Sequence, residues 1–227
     1  ADVESRKMKL NGHVARLALL FQVMKWATDS GDMQYIERDS VESAIRMIDY
    51  YEEQIGENTK KYPLIRESID YYIGLTENAI SYIVNTKNNI HKEISDTMVL
   101  SHNTLEKGLN DPENIILDHK ARDVAEYIKW SFFNNNKNIF NELDEYFKYN
   151  YYSFYGIQIL FGRVLYPSFY FNIYDKIISN KIDEKELNII ISKNKEYERY
   201  LYDIYLYLSR YYALAVPEWI KKKGTNP

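Results

Sequence analysis

Apolar and polar positions follow helical spacing in the first quarter of the chain. Apolar residues lie three and four positions apart near the N-terminus, which predicts an amphipathic helix over residues 12–28. Turn-forming residues at 29–32 end this helix. Asp39 and Glu42 then form a capping-box pattern, and the apolar residues that follow predict a second helix. Together the two segments predict a helical hairpin.

A polar, glycine-containing stretch at residues 56–59 predicts the end of this hairpin. We therefore expect two domains, residues 1–55 and residues 56–227. Pro63 suits the first turn of a helix. Apolar residues keep helical spacing from there to Ile83, so the second domain is expected to start with a long helix.

The hydrophobic pattern changes after residue 85. Two short apolar runs, at residues 98–100 and 115–117, flank a turn-forming segment at residues 108–112. Short apolar runs on either side of such a segment are typical of two strands joined by a loop. The sequence therefore predicts a small β-hairpin near residues 95–118.

Helical spacing returns after Asp118 and continues almost to the C-terminus. One of the predicted helices ends at Leu165, because Pro167 disfavours helical backbone at the residue before it. Asp183 and Glu186 form a second capping-box pattern. The predicted fold is therefore mainly α, with one small β-hairpin near the middle of the chain.

The composition excludes sites that need cysteine and argues against membrane and nucleic-acid partners. The 227 residues include no cysteine, which excludes disulfides, thiolate metal sites and cysteine nucleophiles. No apolar run approaches the ~18 residues of a membrane span, and the N-terminus lacks the order of a signal peptide. We therefore expect a cytoplasmic protein with no membrane partner. A net charge of −4 with scattered Lys and Arg makes nucleic acid an unfavoured partner.

Tyrosine is unusually frequent, with 23 residues. In one explanation, tyrosine fills the core where other proteins use leucine or phenylalanine. In the other, the rings form a surface that stacks on a ligand, since tyrosine can bury its ring while its hydroxyl stays in water. The sequence favours the first explanation and leaves the second open.

Several segments of the second domain resemble one known family. They read YPLIRESIDYYIGLTENAI at 62–80, LSHNTL at 100–105, ILDHKARDVAEYI at 116–128, LFGRVLYP at 160–167 and PEWI at 217–220. In this order they resemble the C-terminal lobe of the CotS/YutH-like spore-coat-associated proteins, which are related to aminoglycoside and choline phosphotransferases. The resemblance covers about residues 50–222. It implies the helical C-lobe of a kinase-like fold, preceded by the helical hairpin.

Residues 6–53 carry a second resemblance. KLNGHVARLAL at 9–19 and SVESAIR at 40–46 resemble the helical C-terminal tail of phage- and plasmid-type primase/helicase proteins. The chain has no Gly-x-x-x-x-Gly-Lys-Ser/Thr phosphate loop, so the motor of those proteins is not expected. This resemblance makes a replication-associated accessory module an alternative function.

The phosphotransferase resemblance implies a catalytic loop that reads His-x-Asp, with an Asn five residues after the Asp and a metal-binding Asp further on. His102 matches the start of this loop, but Thr104 takes the place of the catalytic Asp and Leu109 that of the Asn. Asp118 matches the Mg²⁺ ligand, and Asp123 matches an Asp that braces the loop. His102 and Asp118 also have purely structural explanations. His102 can be a packed, hydrogen-bonded histidine, and Asp118 can accept hydrogen bonds from backbone N–H groups in a loop.

A kinase-like N-lobe needs a twisted sheet, a Gly-rich loop and a strand Lys. Residues 1–55 show helical spacing instead. We therefore expect a catalytically inactive, pseudokinase-like binding or scaffold module that has a protein partner, associates with the spore and needs no cofactor. An active small-molecule phosphotransferase with displaced catalytic residues is a third alternative, and it alone would use Mg-ATP.

Overall fold

The computed structural model describes residues 18, 36–89, 97–102, 114–214 and 217–224. This part of the chain contains nine α-helices and two strands. The helices are α1 (Arg38–Lys61), α2 (Pro63–Asn89), α3 (Ala121–Phe133), α4 (Ile139–Tyr149), α5 (Phe154–Leu165), α6 (Ser168–Ile178), α7 (Leu187–Ser192), α8 (Asn194–Leu208) and α9 (Glu218–Gly224). Strands β1 (Met98–His102) and β2 (Ile115–His119) lie between α2 and α3 in the sequence. The prediction of a mainly α fold with one small β-hairpin is confirmed.

Helix α1 begins before the predicted capping box. The carbonyl of Glu37 accepts the amides of Ser40 and Val41 at 3.1 and 3.3 Å, so Glu37 is the N-cap residue. Asp39 lies inside the first turn, where its negative charge stabilises the helix by interacting with the positive end of the helix dipole. The prediction of Asp39 as the cap was therefore wrong. The predicted helix over residues 12–28 lies outside the described residues, apart from the buried Ala18.

Helix α1 continues through residues 56–59 and ends at Lys61. One extended residue, Tyr62, separates it from α2. The chain divides into two compact units, Ala1–Arg66 and Glu67–Pro227. The domain boundary that the sequence indicated stays a prediction. Among the described helices, none combines the length and the apolar character needed to cross a membrane.

Strands β1 and β2 form an antiparallel hairpin in which Leu100 lies opposite Leu117 and His102 lies opposite Ile115. Within the described residues this hairpin is the whole sheet. The predicted turn segment between the strands lies outside the described residues. Helix α3 begins at Ala121, directly after β2, so its first turn lies beside the hairpin.

Helix α5 lies at the centre of the second unit, with ten of its twelve residues buried. Ser153 caps its first turn by accepting the amide of Gly156 at 2.9 Å. The helix ends before Pro167, as the sequence predicted. Helices α3 and α8 pack against it. Because the helix is enclosed in this way, its partly exposed residue Arg163 is held in a defined position.

Tyrosine side chains fill much of this core. Tyr72 and Tyr170 stack with their ring centroids 3.8 Å apart. The hydroxyl of Tyr197 donates to the carbonyl of Val164 at 2.9 Å, which satisfies the polar end of a buried ring. Burial raises the pKa of Tyr197 well above its usual value. For these residues, the high tyrosine content reflects core packing.

Two helical glycines differ in the space around their α-carbons. A Cβ on Gly162 of α5 would lie 2.5 Å from Cγ1 of Ile83 in α2, whereas Gly74 has no atom within 4 Å of that position. Alanine favours a helix over glycine by about 1 kcal/mol. We therefore expect Gly74→Ala to raise the free energy of unfolding by about that amount.

The substitution Gly162→Ala is expected to lower the free energy of unfolding by about 1 kcal/mol. Overpacking costs ~1–3 kcal/mol, which outweighs the gain of about 1 kcal/mol in helix propensity. Denaturant titration measures both variants, and Gly74→Ala is the matched control. If Gly162→Ala were as stabilising as Gly74→Ala, helices α2 and α5 would not be in close contact at this position.

Candidate functional site

His102 and Asp123 meet where strand β1 ends. Asp123 lies in the first turn of α3, and its carboxylate accepts the backbone amide of His102 at 2.9 Å. The second carboxylate oxygen lies 2.9 Å from Nδ1 of the His102 ring. The two contacts fix both the backbone and the ring of His102. The bracing role expected for Asp123 and the vestigial catalytic role expected for His102 stay predictions.

Asp118 on strand β2 contacts two arginines. The guanidinium of Arg122, in the first turn of α3, donates to Oδ2 at 2.9 Å. The guanidinium of Arg163, on α5, donates to Oδ1. Oδ1 also accepts the backbone amide of His119 at 2.6 Å. Asp118 thus joins the hairpin to two helices that are far apart in the sequence.

Arg122 also connects the two strands of the hairpin. Its Nε donates to the carbonyl of His102 at 2.9 Å, while its Nη1 holds Asp118. One guanidinium therefore fixes the end of β1 and the end of β2 at once. The planar fork of arginine permits this double contact, which a lysine ammonium would not reproduce.

The surroundings of Asp118 favour its ionised form. Burial by itself raises the pKa of this carboxyl group. The hydrogen bonds from Arg122 and the His119 amide, together with the charges of Arg163 and Arg122, outweigh that effect. The pKa of Asp118 is therefore lower than its usual value, and the carboxylate stays charged at neutral pH.

These contacts do not resemble a metal centre. Both oxygens of Asp118 already accept charged donors, and in the part of the chain that the structure describes no group of three or more His, Asp or Glu side chains could enclose a metal ion. The neighbouring His119 is buried, and its Nδ1 accepts the amide of Ala121 at 3.1 Å. The prediction of Asp118 as a Mg²⁺ ligand stays untested, and the donor geometry does not favour it.

A buried lysine lies close to this cluster. Lys129 on α3 is only 2% exposed, and its ammonium group donates to Glu126 and to Ser168, both at 2.6 Å. It also donates to the carbonyls of Arg163 and Tyr166, at 3.3 and 3.2 Å, where α5 ends. Burial lowers the pKa of Lys129, and the charge of Glu126 opposes that change. The lysine therefore stabilises the C-terminal end of α5, which carries the negative end of the helix dipole.

A cavity of about 470 Å³ opens beside Asp118 and Arg163. Its size is typical of small-ligand sites, which take roughly 300–1,000 Å³. Apolar side chains of α2, β1 and α5 form most of its wall, among them Ile80 and Met98. Because the two charged groups in the wall are paired with each other, the cavity offers an apolar surface with little free charge.

Sequence patterns single out only part of this site. The family motif identifies His102, Asp118 and Asp123, and the structure brings all three to the first turn of α3. Arg163 lies in the segment LFGRVLYP, which resembles the family, but the catalytic-loop motif gives it no role, and its contact with Asp118 spans 45 residues. The motif does not identify Lys129 either, since a lysine in a helix is usually exposed. Thr104 and Leu109, which take the place of catalytic residues in the motif, lie outside the described residues.

The fold and this cluster can be compared with known proteins. The family described as "Spore coat putative kinase YutH" matches residues 46–204, which include the hairpin and every residue of the cluster. The chain belongs to the YutH spore-coat family. The resemblance that the sequence motifs indicated is therefore confirmed.

The chain is similar to a curated protein of a spore-forming bacterium. The "Endospore coat-associated protein YutH" of Bacillus subtilis strain 168 is 30% identical over 180 residues, an alignment that covers 70% of this chain and 53% of that protein. The chain thus spans about half the length of this relative. No solved structure matches the chain. The resemblance of residues 6–53 to primase/helicase tails stays a prediction.

The paired carboxylate should contribute to stability. Removing one partner of a buried ion pair costs about 3–5 kcal/mol. Because Asp118 and its two arginines are partly exposed, we expect Asp118→Asn to lower the free energy of unfolding by about 2 kcal/mol at neutral pH. Glu145→Gln is the matched control, since it breaks the exposed pair with Lys148 and should cost less than about 1 kcal/mol.

The effect of Asp118→Asn should also depend on pH. An unperturbed Asp has a pKa of about 3.9, and the folded-state pKa of Asp118 is lower. The stabilisation is therefore fully present above the unfolded pKa and is lost as the pH falls through the folded pKa. Chemical denaturation at neutral and acidic pH should show the difference between wild type and Asp118→Asn shrinking below about pH 4. A constant difference would contradict this account.

Proposed function

We propose that this chain is a catalytically inactive, kinase-like module that binds protein partners in the spore coat. The observation that carries the inactive assignment is the pairing of Asp118 with Arg122 and Arg163. In the related phosphotransferases the matching carboxylate holds Mg²⁺. In this chain two guanidinium groups occupy its oxygens.

Electrostatics argue against a magnesium ion at this carboxylate. Mg²⁺ prefers several oxygen ligands in a near-octahedral arrangement. Each oxygen of Asp118 already accepts a guanidinium donor, Oδ2 from Arg122 and Oδ1 from Arg163. Two unit charges 4 Å apart interact by about 4 kcal/mol at an effective dielectric constant of 20. A divalent ion at this carboxylate would be repelled by both guanidinium groups and would have to displace them, and no group of three or more His, Asp or Glu side chains among the described residues could replace their contacts, so the residues present do not fit the metal.

Thr104 and His102, in the catalytic-loop motif, also support the proposal of an inactive module. Thr104 takes the place of the catalytic Asp, and a threonine hydroxyl cannot act as a base at neutral pH. His102 is held by Asp123 at both its backbone and its ring, so it has a structural partner already. We propose that His102 and Asp123 have a structural role at the end of β1 and no catalytic one.

The coat assignment rests on family membership. The relative from Bacillus subtilis is named as a coat-associated protein. We extend that association to this chain as a proposal, because the family match spans the hairpin and most of the helices. A protein in an assembly acts through its binding surfaces, so we propose a binding role for this chain.

A test of the inactive assignment is nucleotide binding. A ligand at about 100 times its dissociation constant stabilises a folded protein by about 2.7 kcal/mol. We expect no such change in the melting temperature of this chain with MgATP, because Asp118 is unavailable to the metal. An active kinase serves as the positive control for the nucleotide preparation.

A clear stabilisation by MgATP that disappears in Asp118→Ala would overturn the inactive assignment. Asp183→Ala is the matched control for the loss of a carboxylate, since Asp183 only caps an exposed turn by accepting the amide of Lys185. If Asp183→Ala kept the stabilisation while Asp118→Ala lost it, Asp118 would hold the metal. The phosphotransferase alternative would then be correct.

The coat assignment has a separate test. A fluorescent fusion of the chain, produced in sporulating Bacillus subtilis, is expected to collect at the surface of the developing spore. The fluorescent protein alone is the control and should stay dispersed. A fusion that is stable but evenly distributed through the cell would contradict the coat assignment and leave the nucleotide result unaffected.

A further inference from the structure

A second cavity lies between helices α3, α6 and α7. Its volume is about 390 Å³, at the lower end of the roughly 300–1,000 Å³ of small-ligand sites. Every residue that lines it belongs to the second unit and falls within the continuous described range 114–214. A cavity of this size suits a single long side chain or a small molecule.

Aromatic rings form much of the wall of this cavity. Trp130 of α3 lines it and is 44% exposed. Tyr127 stacks on Trp130, with the ring centroids 5.8 Å apart and 17° between the ring planes, so the indole is held in a defined orientation. Phe133 and Phe169 also line the cavity, and their centroids are 4.7 Å apart. The face of an aromatic ring attracts cations, and tryptophan does so most strongly.

The charged groups in the wall differ in whether they already have partners. The ammonium of Lys129 is 2.6 Å from the carboxylate of Glu126, and the lysine side chain is only 2% exposed. Glu186, directly before α7, is exposed, and its carboxylate makes no hydrogen bond or ion pair among the described residues. The carboxamide of Asn172, on α6, is likewise exposed and without such a contact in the described part of the chain. The described wall therefore offers one unpaired negative charge and a free amide oxygen.

A lysine near the cavity shows that its rings attract cations. The ammonium of Lys193 lies 5.9 Å from the ring centroid of Phe133, although Lys193 does not line the cavity. Phe133 therefore already has a cation from its own chain. No cation of the described residues lies over the ring of Trp130. Trp130 is thus the ring that is available to a cation from outside the chain.

We propose that this cavity binds an arginine side chain of a partner protein. The proposal rests on the proposed protein-binding function and specifies the chemistry of the partner. The guanidinium group is planar, stacks on aromatic faces and carries five N–H donors that match carboxylates. Trp130 supplies the ring, Glu186 supplies the carboxylate, and Asn172 supplies a further acceptor. Arginine is also enriched among the residues that contribute most to binding at protein interfaces.

Lysine fits the same wall less well. Its ammonium is compact and strongly hydrated, so it would gain the charge of Glu186 without the planar stacking on Trp130. The cavity is therefore expected to select arginine over lysine, and both over a neutral side chain of the same shape.

Nuclear magnetic resonance of the full chain with short peptides tests the proposal. The probe is an acetylated, amidated pentapeptide with one arginine between alanines. The same peptide with citrulline, which has the shape of arginine without its charge, is the matched control, and a lysine peptide is the third arm. The indole N–H signal of Trp130, assigned with Trp130→Phe, reports binding. The arginine peptide is expected to bind at least about 5-fold more tightly than the citrulline peptide.

Two substitutions locate the site. Glu186→Gln and Trp130→Leu are each expected to weaken binding of the arginine peptide about 2- to 5-fold, since one removes the ion pair and the other removes the cation–π contact. Backbone amide signals of residues 186–190 report binding to both variants. Glu196→Gln is the matched control, because Glu196 on α8 is an exposed carboxylate that does not line the cavity. Circular dichroism checks that all variants are folded.

Three outcomes would overturn the proposal. Equal binding of the arginine and citrulline peptides would show that the cavity does not select charge. Binding that Glu186→Gln and Glu196→Gln weaken equally would reflect the overall charge of the chain. A Trp130 signal that stays unshifted at the highest peptide concentration would show that arginine does not enter the cavity. A chain that fails these tests, ignores MgATP and still collects at the spore surface would keep the proposed function and lose only the arginine site.

Discussion

The ionised carboxylate of Asp118 is the constraint on which the rest of this site depends. A two-stranded hairpin is only marginally stable by itself, so it needs contacts with neighbouring helices. Asp118 supplies them through Arg122 of α3 and Arg163 of α5. Arg122 then extends the connection to the carbonyl of His102, so both strands are tied to α3. Without the carboxylate, two partly buried guanidinium groups would lie close together with no anion between them, which is unfavourable in a low-dielectric environment.

The elements whose formation is local could be predicted from the sequence. The long helix after Pro63 and the stop before Pro167 follow from helical periodicity and from the restriction that proline places on its neighbour. The two strands follow from short apolar runs on either side of a turn segment. The start of α1 was predicted wrongly, because the carbonyl of Glu37 accepts the first helical hydrogen bonds before the expected cap at Asp39. Such boundaries depend on small local differences between competing hydrogen bonds.

The partners of the site residues could not be predicted in the same way. The family motif indicates Asp118 and Asp123, but it indicates them as parts of a metal and loop site. Arg163 reaches Asp118 because α5 is buried in the core beside the hairpin. No local sequence pattern predicts which helix packs beside the hairpin. Lys129 is a further example, since its position on α3 is buried by the end of α5, to which it donates hydrogen bonds. Tertiary packing determines the partners of Arg163 and the burial of Lys129. Neither can be predicted from the residue type, since arginine and lysine are usually exposed.

The charged groups at the first turn of α3 and the aliphatic side chains of the hairpin differ in how far their partners lie within the chain. Around the first turn of α3 the described charged groups pair with one another: His102 with Asp123, and Asp118 with Arg122 and Arg163. The aliphatic side chains of the hairpin, by contrast, have no described cover on their outer face, with Leu100 and Leu117 the most exposed. A catalytic kinase-like site requires free charge at the catalytic loop to hold metal and phosphate. At Asp118 the charge is paired with Arg122 and Arg163, and this pairing is what supports the proposed inactive assignment.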